Sequence, residues 1–96
     1  MTIDEIKLVL LNSKDDLATQ YHVKSIGLFG SYVHGEQCQR SDLDVLVDFT
    51  KPVGLFDLIR LEDHLSSIVG IKVDLVMKKA LKRRIGENIL QDVIYI

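Results

Sequence analysis

The chain has 96 residues, 47% of them hydrophobic and 27% charged, which suits one domain with a modest core and excludes a chain disordered by composition. Cys38 is the only cysteine, so a disulfide scaffold and a multi-cysteine zinc module are excluded. The formal charge is −2, no apolar run reaches the roughly 18 residues of a membrane span, and the N-terminus carries Asp4 and Glu5 rather than a basic and then apolar leader; a soluble cytoplasmic domain over residues 1–96, without membrane association, is expected.

In chain order, residues 2–19 place Ile3, Ile6, Val9, Leu10 and Leu17 on one helical face, and Thr2 followed by Glu5 reads as a capping box. Residues 23–29 read as a buried strand that ends at Gly30. Residues 42–49 alternate: Leu43, Val45, Val47 and Phe49 fall on one face, and Asp42, Asp44, Leu46 and Asp48 on the other. That period of two is a strand. The cluster Thr50-Lys51-Pro52-Val53-Gly54 reads as a loop. Leu55, Leu58, Leu61, Leu65 and Ile68 then form a helical stripe, with Gly70 as its stop. Residues 71–77 alternate again, and Leu81, Ile85 and Ile89 predict a last helix over 80–91. The apolar residues 93–96 either extend that helix or end as a short extended tail.

The expected fold class is therefore α/β, with helices packed on a small three-stranded mixed sheet. Its order is helix, strand, short helix, strand, helix, strand, helix. The link from 29 to 42 is too short for a long crossover helix, so the first two strands are expected antiparallel. The helix between the second and third allows a parallel pair. Charge is unevenly spread: residues 72–96 hold 6 basic and 3 acidic groups, while residues 1–71 hold 6 basic and 11 acidic. Such asymmetry suits either an anionic partner or a solvated basic helix start.

Asp42 and Asp44 carry the chemistry. Two residues apart on a strand, they share one face about 7 Å apart. Carboxylates inside an apolar strand are costly unless something neutralises them. A divalent cation does so, and hard oxygen donors suit Mg2+ or Mn2+. Asp74 interrupts Val73-Asp74-Leu75-Val76 in the same way. Carboxylates from two neighbouring strands can hold two metal ions about 3.5–4 Å apart, an arrangement used for in-line phosphoryl or nucleotidyl displacement. Aspartates at strand ends facing water are the bland alternative, and it is preferred for Asp48. Upstream stands Phe29-Gly30-Ser31-Tyr32-Val33-His34-Gly35-Glu36. Gly30 lets a phosphate approach the backbone, and Ser31 reads as the N-cap of a short helix, whose free N–H groups suit an anion.

Gly30-Ser31, ten intervening residues and Asp42-Leu43-Asp44 resemble the signature of the DNA-polymerase-β-like nucleotidyltransferase superfamily. The wider run, through Lys72-Val73-Asp74-Leu75-Val76 to the closing residues, is similar to the minimal nucleotidyltransferases (MNT), antitoxins encoded beside HEPN-domain toxins. The resemblance implies that Gly30 and Ser31 hold triphosphate oxygens. It implies that Asp42 and Asp44 bind both metals, and that Asp74 binds the catalytic metal and takes the acceptor proton. His34 falls at a nucleotide-binding position where the family most often has Arg, and a neutral imidazole is a weaker phosphate partner than a guanidinium. The implied reaction is AMP transfer from ATP, with Mg2+ or Mn2+, to a tyrosine of a partner HEPN toxin in a hetero-oligomer. Two other functions are weighed beside it: a non-catalytic antitoxin that inhibits by contact, and a small-molecule nucleotidyltransferase. A chain this short is expected to take its acceptor from another protein. A net charge of −2 and the lack of a DNA-gripping segment do not favour direct nucleic-acid binding.

Overall fold

The computed structural model describes residues 2–30, 32–33, 42–80 and 93–96. Helix α1 (Ile3–Tyr21) starts at Thr2, whose Oγ1 accepts the Glu5 N–H at 3.2 Å. Asp4 and Glu5 sit in its first turn, where the helix dipole favours negative charge. It stops at His22 in the left-handed region (φ 60°), with the cap N–H donating to the Leu17 carbonyl. Strand β1 (Val23–Phe29) follows at once, and β2 (Leu43–Phe49) returns beside it. The His22 carbonyl accepts the Thr50 N–H at 2.9 Å, tying the start of β1 to the end of β2.

Helix α2 (Leu55–Val69) begins where Gly54 N–H donates to Asp57 Oδ2 at 3.2 Å. It ends at Gly70, which takes φ 71° and donates its N–H to the Ser66 carbonyl at 2.9 Å. Strand β3 (Val73–Met77) then lies parallel to β2. The antiparallel β1–β2 and parallel β2–β3 pairings agree with the sequence reading.

The strand count does not agree. Among the described residues the sheet has four strands in the order β3-β2-β1-β4, because Ile94–Tyr95 forms β4 antiparallel to β1. The outer edge of β1 was free to accept it. Ile96 N–H donates to the Ile26 carbonyl at 2.9 Å. Gly27 lets the tail approach: a Cβ there would stand 2.5 Å from Val93 Cγ1. Of the two readings for residues 93–96, the extended tail is therefore the one observed. Backbone at 78–80 is helical, and the rest of the expected last helix, 81–92, lies outside the described residues.

Both helices cover one face of the sheet. Ile6, Leu10 and Leu17 of α1 and Leu61, Leu65 and Val69 of α2 pack on Leu28, Val45, Val47 and Leu75. Tyr21 and His64 stack with ring centroids 5.2 Å apart, joining α1 to α2. The expected stripe on α2 is only partly right: Leu61 and Leu65 are buried, but Leu55 is 69% exposed. Leu58 and Ile68 are partly buried against the core. The other sheet face carries a small apolar cluster of Phe29 and Leu46, with Val76 and Val93 against it. Among the described residues, no helix is long and apolar enough to cross a membrane.

Candidate active site

The site lies on the sheet face opposite the helices, at one end of β1, β2 and β3. Antiparallel pairing sets Phe29, the last residue of β1, opposite Asp44 near the start of β2. Parallel pairing sets Asp44 opposite Asp74 on β3. Paired residues of neighbouring strands project to the same face, so Asp44 and Asp74 stand side by side next to Gly30. Asp42, two residues before Asp44, projects to that face as well. The three carboxylates predicted from sequence thus meet at one sheet end.

Their mutual electrostatics are unfavourable. Burial pushes the Asp44 carboxyl above the ordinary carboxylate range, and the charges of Asp74 and then Asp42 push it the same way. A side-chain hydrogen bond with Asp74 adds to the shift. This is the behaviour of like charges that share a site and lack a counter-charge. Among the described residues Asp42 has a cationic neighbour in Lys72, with Nζ 4.0 Å from Asp42 Oδ2. Lys72 is 79% exposed, and a pair so open to water contributes little.

Gly30 has two reasons to be glycine. Its φ is 79°, a conformation costly to residues with a Cβ. Any Cβ there would also overlap Asp44 Oδ2 and stand 2.9 Å from Asp44 Cγ. The glycine therefore makes room for the carboxylate as well as for a ligand. Beyond it the chain turns, with Val33 N–H donating to the Gly30 carbonyl at 3.1 Å, and Tyr32 is buried in the main core. Ser31 and His34, the other two expected nucleotide contacts, lie outside the described residues, as does Cys38.

The donor set fits a hard divalent cation: three carboxylates, two of them paired across β2 and β3, with no buried cation among the described residues to neutralise them. The side chains are not already gathered as ligands, because among the described residues no three His, Cys, Asp or Glu groups stand at metal-holding distance. The backbone sets Asp44 level with Asp74, with Asp42 two residues away along the chain. One concavity among the described residues is lined by Phe49, Pro52, Met77 and Lys78 at the far ends of β2 and β3.

Sequence reasoning did not anticipate Lys72 beside Asp42 or the contact between Gly30 and Asp44. Both depend on strand register. Once Leu43 is paired with Val73, Lys72 falls next to Asp42, and no local pattern announces it.

Comparison with known proteins converges on one group. A family model described as a nucleotidyltransferase domain matches residues 10–96. Protein adenylyltransferase MntA of Thermococcus cleftensis is 43% identical over 96 residues, covering 100% of this chain and 97% of that protein. A solved minimal nucleotidyltransferase structure matches with TM-score 0.74 at 29% identity, covering 98% of this chain and 95% of that one. A toxin–antitoxin crystal structure with AMP-PNP matches with TM-score 0.59 at 30% identity, covering 72% of this chain and 57% of that one. A structure of a tri-AMPylated Shewanella oneidensis HEPN toxin in complex with an MNT antitoxin matches with TM-score 0.54 at 25% identity, covering 78% and 57%.

Proposed function

The chain belongs to the nucleotidyltransferase domain family, and on that premise we infer that it is a protein adenylyltransferase of the antitoxin type. It moves AMP from ATP to a tyrosine hydroxyl of a partner HEPN-domain toxin and so neutralises that toxin. One observation carries the reading: Asp44 and Asp74 face each other across β2 and β3, with Asp42 on the same face and Gly30 against Asp44. The likeness to the Thermococcus protein adenylyltransferase and to the MNT antitoxin bound to an AMPylated HEPN toxin supports the choice of reaction and partner. The AMP-PNP complex supports ATP as the donor.

The balance is simple. The tyrosine oxygen forms a bond to the α-phosphorus, the bond from that phosphorus to the bridging oxygen of the β-phosphate breaks, and pyrophosphate leaves with the electron pair. Asp74 accepts the hydroxyl proton. Gly30 and the turn to Val33 present backbone to the triphosphate, and Ser31 and His34 complete that contact. Asp42, Asp44 and Asp74 hold Mg2+ or Mn2+, which when bound neutralises charge developing on the phosphates. Precise placement of the acceptor comes from the partner, in a hetero-oligomer. The reading sets the chain in the cytoplasm as a single domain over residues 1–96.

The test is incubation of the two proteins with labelled ATP and Mg2+. The HEPN protein acquires label with the wild type and none with Asp42→Ala plus Asp44→Ala. No label with the wild type, or equal label with the double variant, overturns the reading. If the double variant still neutralises the toxin in cells at equal expression, inhibition is by contact.

A further inference from the structure

We propose that Ser66 and Glu62 of α2 are positioning residues that hold the Asp74 segment in place at the open edge of the sheet. Among the described residues β3 is an edge strand, with β2 on one side only. An edge strand presents unpaired N–H groups and is the part of a sheet most free to shift. In a parallel ladder alternate residues bond to the neighbouring strand. Lys72 does so here, its carbonyl accepting the Leu43 N–H at 2.8 Å. Val73 and Leu75 therefore point their N–H groups outward, away from β2. Both are taken by side chains of α2: Val73 N–H donates to Ser66 Oγ at 3.0 Å, and Leu75 N–H donates to Glu62 Oε2 at 3.2 Å.

These two bonds flank Asp74 on either side. The geometry is matched across two kinds of structure. Residues four apart on a helix are separated by about 6 Å, and residues two apart on a strand by about 6.6 Å. With α2 running opposite to β3, Ser66 meets the earlier strand residue and Glu62 the later one. Leu61, Leu65 and Val69 anchor the same helix in the core, so the acceptors stand on a rigid element. The carboxylate of Asp74 is thereby held level with Asp44 by β2 on one side and by α2 on the other.

This rests on the reading of Asp74 as the third carboxylate, and the experiment separates the two ideas. AMP transfer to the HEPN partner is measured together with amide hydrogen exchange at Val73 and Leu75. In Ser66→Ala plus Glu62→Ala, both amides exchange faster. The kcat falls about 100-fold, the loss expected from misplacing a reacting group by roughly 1 Å. KM for ATP changes less than about twofold, since Gly30 lies beside β1 and is untouched. Ser66→Thr and Glu62→Gln keep an acceptor and restore kcat. If the double variant does not fold, Ser66→Ala against Ser66→Thr carries the same comparison. Wild-type kcat in the alanine variants beside full loss in Asp74→Asn overturns the positioning role alone, as does equal loss in the conservative variants. Wild-type kcat in Asp74→Asn overturns the reading of Asp74 and this proposal with it.

Discussion

Replacing Asp44 by Asn removes one charge from a crowded site and leaves shape and hydrogen-bonding capacity nearly intact. Asp44 and Asp74 sit opposite each other on strands about 4.8 Å apart. Two unit charges about 5 Å apart repel by about 0.8 kcal/mol in water and about 3.3 kcal/mol at an effective dielectric of 20. Asp44 is half-buried and Asp74 exposed, so the lower end applies, and about 1 kcal/mol is a fair discounted figure. For a domain of this size that is a rise of about 4–8 °C in Tm.

The dependence on pH follows from the direction of the shift. The Asp44 carboxyl is raised in the folded state from its usual 3.8. Its contribution to stability is then fully present below that value and lost as pH rises through the folded-state value. Asp44→Asn should match the wild type near pH 3.5 and gain on it progressively toward pH 7. The assay is thermal unfolding followed by circular dichroism across that range, with a chelator present. An Asn variant no more stable than the wild type at neutral pH, or a difference constant with pH, would refute the argument.

Other outcomes follow from the same geometry. Adding Mg2+ to the chelated wild type should raise Tm, by about 2.7 kcal/mol of stability at a hundredfold excess over Kd, and Asp42→Ala plus Asp44→Ala should abolish the rise in a thermal-shift titration. Gly70→Ala meets nothing within 4 Å and costs only its positive φ, about 1–2 kcal/mol in a denaturant melt. Gly30→Ala has the same backbone penalty and also drives into Asp44, so it should lose AMP transfer, which Gly70→Ala should retain. Leu46→Ala, on the apolar patch beside the carboxylates, should lower stability by about 2–5 kcal/mol in the same melt, because the buried side chain leaves a cavity.

Much of this was legible in the chain itself, for identifiable reasons. The strand 42–49 alternates except at Leu46, so its period alone places the aspartates on one face. Asp74 stood out because a charge inside Val73-Asp74-Leu75-Val76 has no apolar explanation. Helix ends were marked by Thr2 and Gly70, whose local chemistry acts without tertiary partners. Leu55 misled because periodicity marks a helical face but does not say which of its positions the core covers. β4 was missed as a strand because two residues are too few to show a period; Ile94–Tyr95 pairs only because β1 offers a free edge and Gly27 leaves room.

By itself, then, the sequence determined which residues carry charge into strands, the order of the elements from α1 to β3, and the likeness that names the chemistry. These follow from local periodicity and from motifs within a few residues of one another. The tertiary structure decided what depends on strands meeting: Asp44 level with Asp74, Gly30 clearing space for Asp44, Lys72 beside Asp42, and the grip of Ser66 and Glu62 on either side of Asp74. Register between distant strands is set by how the whole sheet and its helices pack, and no short stretch of chain contains that information.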